Sequence, residues 1–232
     1  LRTLRAVKTI AVELHPTALA WDEPHQRLYV ANGNSDTVSV VDTRTDQVRQ
    51  TITLRPFAVA TPGIAPTALA VSTDGATLYV ACGGINAVAV VQTASGATQG
   101  LIPTAWYPAS VTVGADGRSL YIGSAKGVAS YDNINGPTSP LRGVDEARNH
   151  VARLQRGSVT VLPLRNLKAE LPDYTRQSMA NSPYNDEMLA KARPSQSGPS
   201  IVPQSVGAGS PIKHVIYIIK ENRTYDQLFG DL

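Results

Sequence analysis

Pro16-Thr-Ala-Leu-Ala20 returns fifty residues later as Pro66-Thr-Ala-Leu-Ala70. Twelve residues after each proline comes a second matched run, Leu28-Tyr-Val-Ala31 and Leu78-Tyr-Val-Ala81. Ten residues beyond stand Val38-Ser-Val-Val41 and Val88-Ala-Val-Val91. A third, looser copy starts at Pro108, carries Val111 and Val113, and reaches Leu120-Tyr-Ile122 after the same twelve residues. A constant offset marks one structural unit repeated along the chain.

Within each unit the runs are short, β-branched and bounded by turn signals. Asp74-Gly75 and Asp116-Gly117 mark one turn. Asn32-Gly33-Asn34 and Gly83-Gly84 mark the next. The first copy adds a fourth run, Val48 to Leu54. Four short antiparallel strands in about 40–50 residues is the spacing of a β-propeller blade. The expectation is an all-β chain: a partial β-propeller of about three four-stranded blades.

The repeat resembles the Tyr-Val-Thr-Asn-type (YVTN) propeller family, whose second strand reads Leu-Tyr-Val-Ala-Asn. Leu28 to Asn32 matches it throughout, and Cys82 departs from it in the second copy. Three blades are fewer than the four to eight that close a ring. The run Val7 to Val12 reads as a blade's fourth strand or as the strand that closes the ring, and blades are expected upstream. The third strand of the third blade is either Val128 to Tyr131 or, better, Gly157 to Leu162, where Val159 and Val161 alternate as Val38 and Val40 do. The second choice leaves an insertion at about 123–156, read as a surface excursion.

The predicted organisation is a propeller over 1–171 and a connecting segment over 172–211. The connecting segment begins with one short helix around Tyr174 to Met179. It ends in Ser195 to Pro211, whose Gly, Pro and Ser content is that of a linker. Residues 212–232 read as the start of a second domain.

Composition narrows the partners. The chain is 42% hydrophobic and 17% charged, with a net charge of +3. Arg142, Arg148, Arg153 and Arg156 are interrupted by Asp145 and Glu146, so nucleic acid is not the expected partner. No run approaches the ~20 apolar residues of a membrane-spanning helix. Cys82, the single cysteine, excludes an internal disulfide framework and reads as a small buried residue. Tyr29, Tyr79 and Tyr121 recur at one repeat position, which argues for packing. Trp21 and Trp106 are read the same way. His15, His25 and His150 lack ligand spacing, which speaks against a haem-bearing electron-transfer propeller.

Chemistry concentrates at the end of the chain. The run Val215 to Ile219 has the content of a strand buried on both faces. Directly after it come Glu221, Asn222, Arg223, Thr224, Tyr225 and Asp226, then Gly230. Ligands of open α/β sheets bind beyond the carboxyl ends of strands. A carboxylate and an amide oxygen there are hard donors for a divalent cation. From the residues alone, the plainer reading is a strand-to-helix turn capped by Asn222 or Thr224.

The segment resembles the opening of a bacterial phosphoesterase family that includes acid phosphatases and phosphocholine-type phospholipases C. That resemblance implies that Glu221 and Asn222 ligate a catalytic divalent metal ion of unknown identity. It implies a phosphate-ester substrate and a periplasmic or extracellular location. Arg223 either binds the substrate phosphate or pairs with Asp226. No nucleophile is identifiable in the 232 residues. The expected whole is a fragment, cut at both ends, of a metal-dependent phosphate ester hydrolase with a propeller scaffold and the first strand of an α/β catalytic domain. The alternative is a non-catalytic propeller that binds a partner.

Overall fold

The computed structural model describes residues 5–57, 63–129, 155–182, 184–191, 201–202 and 209–218. The chain divides into two units: Leu1–Ser130 with Gln155–Asn185, and Tyr131–Leu154 with Asp186–Leu232. The first unit is all-β with one helix at its end. Its strands form three antiparallel sheets, each folded back and forth in chain order. Blade 1 is β1 (Pro16–Asp22), β2 (Arg27–Asn32), β3 (Thr37–Asp42) and β4 (Gln47–Thr53). Blade 2 is β5 (Pro66–Val71), β6 (Thr77–Cys82), β7 (Ala87–Gln92) and β8 (Thr98–Pro103). Blade 3 is β9 (Trp106–Val113), β10 (Ser119–Gly127) and β11 (Ser158–Pro163). The first strands of the three sheets lie next to one another. The repeated Leu-Tyr-Val/Ile run is the second strand each time, as its offset predicts. Gly75 and Gly117 take φ +69 in the turns that follow Asp74 and Asp116, a conformation that favours glycine.

Strand alternation decides what each blade faces. Side chains two apart share a face, so blade 2 has one face toward blade 1 and the other toward blade 3. Between blades 1 and 2, Ala18, Ala20, Tyr29 and Ala31 receive Leu69, Leu78 and Val80. Between blades 2 and 3, Ala68, Ala70, Tyr79 and Ala81 receive Val111, Leu120 and Ile122. On the first two strands of a blade the rear face is thus small residues around one tyrosine, and the front face is branched aliphatics. Both joints are one joint repeated.

Hydrogen bonds stitch each joint at the same repeat positions. Thr17 Oγ1 donates to the Pro66 carbonyl at 2.7 Å, and Thr67 Oγ1 donates to the Pro108 carbonyl at 2.6 Å. Asp36 accepts from the Ala65 and Gly63 amides at 3.0 and 3.1 Å. Fifty residues on, Asn86 accepts from the Tyr107 amide at 2.9 Å. Ala65 and Tyr107, each just before a proline, hold φ of 49° and 57°. The left-handed region costs a non-glycine residue about 1–2 kcal/mol, and these side-chain bonds offset that cost. Asp36 is itself buried, with Arg55 Nε 3.8 Å away.

After β11, a single 3-10 turn leads into α1 (Leu167–Asn181), which lies along β8. The helix begins earlier than its polar run suggests. Leu167 and Leu171 join the core between blades 2 and 3, and that burial outweighs the roughly 3 kcal/mol cost of Pro172 in the helix interior. Thr175 Oγ1 accepts from the Leu101 amide at 2.9 Å and donates to the Leu171 carbonyl at 2.7 Å. The outermost strand of blade 2 is thereby covered rather than left as an open edge. In the second unit, α2 (Asp186–Lys191) carries a Lys191–Glu187 bond of 2.6 Å. Its residues 201–202 and 209–218 form neither helix nor strand.

Four expectations are corrected. The third sheet has three strands, not four, because the chain turns into α1 after β11. Residues 5–12 form no strand. Lys8 instead reaches the β3–β4 turn, bonding the Thr45 carbonyl at 3.4 Å and facing Asp46 at 3.6 Å. The run Val215 to Ile218 is exposed and unpaired, because no described strand lies beside it to complete a sheet. Trp21 and Trp106 stand nearly half exposed rather than packed inside. Gly157 to Leu162 does supply the third strand of blade 3, as β11. β10 runs on to Gly127, into the range read as inserted.

Two variants test this architecture. Asp36→Ala leaves the Gly63 and Ala65 amides without their acceptor. It is expected to cost about 2–4 kcal/mol in urea unfolding at pH 7, whereas a surface carboxylate such as Glu23 costs under about 0.5 kcal/mol. At Gly100 a Cβ atom would lie 2.5 Å from Thr175 Oγ1 and 2.7 Å from Leu171 Cγ. Gly100→Val is therefore expected to lift α1 off β8. Limited proteolysis should then cut within 167–181, a region the parent chain protects.

Candidate functional site

The residues that sequence analysis assigns to metal and substrate, Glu221, Asn222 and Arg223, lie outside the described residues. So do Lys220, Thr224, Tyr225 and Asp226. Immediately before them, His214 and the apolar run that follows are exposed. Among the described residues there is no group of three or more His, Cys, Asp or Glu that could hold a metal ion.

The described residues form a groove of about 550 Å³ between the outer half of blade 2 and the first turns of α1. Leu167, Leu171 and Val90 form its apolar wall, and Thr77, Gln92 and Lys168 bring polar groups to it. Tyr79 also lines it. Burial, with the Asp74 carboxylate second, pushes the Tyr79 phenol above its ordinary value. The phenol therefore stays protonated at neutral pH. Asp74 is itself held below the ordinary carboxylate range, first by the Ser72 hydroxyl and next by the Ala76 amide. Pro172 contributes no N–H, so the Lys168 carbonyl at the groove lacks its helical donor. The volume lies within the range of small-molecule sites, and the mix of apolar wall and few polar groups is characteristic of them.

Elsewhere, structural roles account for the chemistry-bearing side chains. Cys82 is buried in the joint between blades 1 and 2, and burial pushes its thiol up to about 12. It is a neutral packing group, not a nucleophile. His25 contacts the buried Asp22 carboxylate at 2.9 Å in the β1–β2 turn. His15 sits before Pro16 with φ 57° and contacts Asn34 at 3.1 Å.

Sequence analysis missed the stitching residues Thr17, Asp36, Thr67 and Asn86. The signal was present: the fifty-residue offset that aligns the strands also aligns Thr17 with Thr67 and Asp36 with Asn86. It also missed the groove, because Lys168 and Leu171 meet blade 2 only after the chain has turned back across it.

No family model matches this chain, and no curated protein matches it. Solved structures do. One is hydrazine synthase of Kuenenia stuttgartiensis, 25% identical, with a TM-score of 0.43 over 47% of this chain and 29% of that one. Another is the β-propeller domain of Cps50 (Swd1) from Myceliophteria thermophila, 17% identical, with a TM-score of 0.43 over 51% of this chain and 35% of that one. The chain spans about a third of the length of these structures. No described helix is long and apolar enough to cross a membrane.

Proposed function

We propose that this chain carries the propeller scaffold of a metal-dependent phosphate ester hydrolase. The observation that supports this reading is the run Glu221-Asn-Arg-Thr-Tyr-Asp226, followed by Gly230, behind an apolar segment. The donor chemistry fits the role: the Glu221 carboxylate and the Asn222 amide oxygen suit a hard divalent cation. Such an ion polarises a phosphoryl oxygen and stabilises charge in the transition state. Arg223 offers a bidentate fork to a phosphate. The blades hold neither ligand. Their part is to anchor the segment or to bind a partner. The resemblance of the segment further implies a periplasmic or extracellular site of action.

A second reading has its own support. The groove between blade 2 and α1 is concave, mostly apolar and lined by a few fixed polar groups, which suits a small amphipathic ligand. In that reading the protein binds without catalysing.

Hydrolysis of a chromogenic phosphate ester, with divalent metals titrated in, separates the two. The 232-residue chain alone is expected to be inactive, since two oxygen ligands on one segment cannot fix a coordination shell. In the full gene product, Glu221→Ala is expected to abolish metal-dependent turnover. Asn222→Ala is expected to weaken metal affinity about 10-fold or more. Wild-type activity and metal dependence in Glu221→Ala would sink the hydrolase reading and leave the binding one.

A further inference from the structure

Among the described residues, the groove between blade 2 and α1 has a single charged side chain in its lining, and that side chain is a cation. Lys168 stands in the first turn of α1, exposed to solvent. Its ammonium has no ion pair or hydrogen bond among the described residues. The helix end beside it has the same sign, since aligned peptide dipoles leave partial positive charge at a helix N-terminus. Asn166, which precedes α1, makes no side-chain capping bond there. Glu170, the acidic residue of the first turn, instead accepts from the Tyr174 hydroxyl at 2.8 Å.

A helix end with a lysine is common on protein surfaces. Tyr79 sets this one apart. It lines the groove and is only 4% exposed, yet its hydroxyl makes no hydrogen bond among the described residues. Buried phenols ordinarily have a partner. This one stays protonated at neutral pH, so it is a donor without an acceptor. Gln92 brings further donors: Ser95 occupies its Oε1 at 2.7 Å, which leaves the amide N–H groups over. The carboxylate that acts on Tyr79, Asp74, is outside the lining and is already held by the Ser72 hydroxyl and the Ala76 amide at 2.6 and 3.0 Å.

We propose that this groove binds a small amphipathic carboxylate. Lys168, the N-terminal end of α1 and the Tyr79 hydroxyl hold its head group, and Leu167, Leu171 and Val90 hold its apolar body. The proposal deepens the reading of the groove as a ligand site and rests on it. Charge selects the head group. One ammonium matches one negative charge, and a carboxylate accepts the hydrogen bond that Tyr79 has to give. A phosphate monoester carries about −1.5 to −2 at neutral pH, more than one lysine neutralises. An ammonium head would set two cations together, and an alcohol would leave Lys168 unpaired. Packing readies the apolar wall, because Leu167, Leu171 and Val90 belong to the core between blades 2 and 3. A wall fixed before the ligand arrives lowers the entropic cost of binding.

Isothermal titration calorimetry of the 232-residue chain with octanoate, octylamine, octanol and octyl phosphate tests this. Octanoate is expected to bind, and more tightly than the other three. Lys168→Gln should raise its Kd about 10-fold, the loss of one charge-assisted hydrogen bond. Tyr79→Phe removes a hydroxyl that has no partner in the protein. The melting temperature should therefore hold while the octanoate Kd rises about 3- to 10-fold. Lys191→Gln, on α2, should bind octanoate as the parent chain does. Octanoate binding indifferent to both Lys168→Gln and Tyr79→Phe overturns the proposal. Octylamine, octanol or octyl phosphate binding as tightly as octanoate overturns the carboxylate assignment and leaves the groove a ligand site with another head group. Binding of none of the four overturns both.

Discussion

Everything in this fold depends on packing one β-sheet face against another. A four-stranded blade has two faces and side chains on both, so a blade standing alone cannot bury either. The chain solves this by writing a different chemistry on each face. On the first two strands, small residues and a tyrosine go to the rear, and Leu, Val and Ile go to the front; on the third strand the rear carries Val38 and Val40, or Val88 and Val90. Because the side-chain period is two, these alternate residue by residue along one strand. Slipping the register by one would exchange the two chemistries and lose both joints. The prolines and turns that fix the register are therefore as important to the core as the aliphatic side chains themselves.

The joints show how a repeat tolerates change. In blade 1, Asn32 lies within a polar trio with Thr37 and Ser39. In blade 2 the corresponding residues are Cys82, Ala87 and Ala89, all fully buried in the core between blades 1 and 2. The three positions change together. An amide left in blade 2 without its two hydroxyl acceptors would be an unsatisfied buried group, which costs about 1–3 kcal/mol. The departure of Cys82 from the repeat is thus one part of a concerted switch from polar to apolar filling.

What could be read from the sequence followed from this period. The strands β1 to β8 repeat at fifty residues, and their register follows from the alternation of Ala and Leu in Pro-Thr-Ala-Leu-Ala. β11 was legible from the alternation of Val159 and Val161 despite the interruption before it. Two apolar runs misled, and for the same reason. Val7 to Val12 and Val215 to Ile218 have strand composition, but a strand is a pairing, and composition does not say whether an edge is available. The start of α1 was hidden by Pro172, whose local cost is overridden by the burial of Leu167 and Leu171 against blade 2. The residues expected to ligate metal are legible only as a motif, since their chemistry needs donors from elsewhere in the chain.

Propeller blades are near-identical in packing and yet the third blade here ends differently. After β11 the chain does not return as a fourth strand. It crosses to blade 2 as a helix and covers β8, using Thr175 to hold the Leu101 amide. A fourth strand would have offered blade 3 another paired edge and more apolar rear face. The helix instead spends its apolar residues on the outer part of the joint between blades 2 and 3 and leaves the rear of blade 3 short. The same change forms the groove beside Tyr79. A concave surface thus arises from one departure in topology, without a change in the repeat itself.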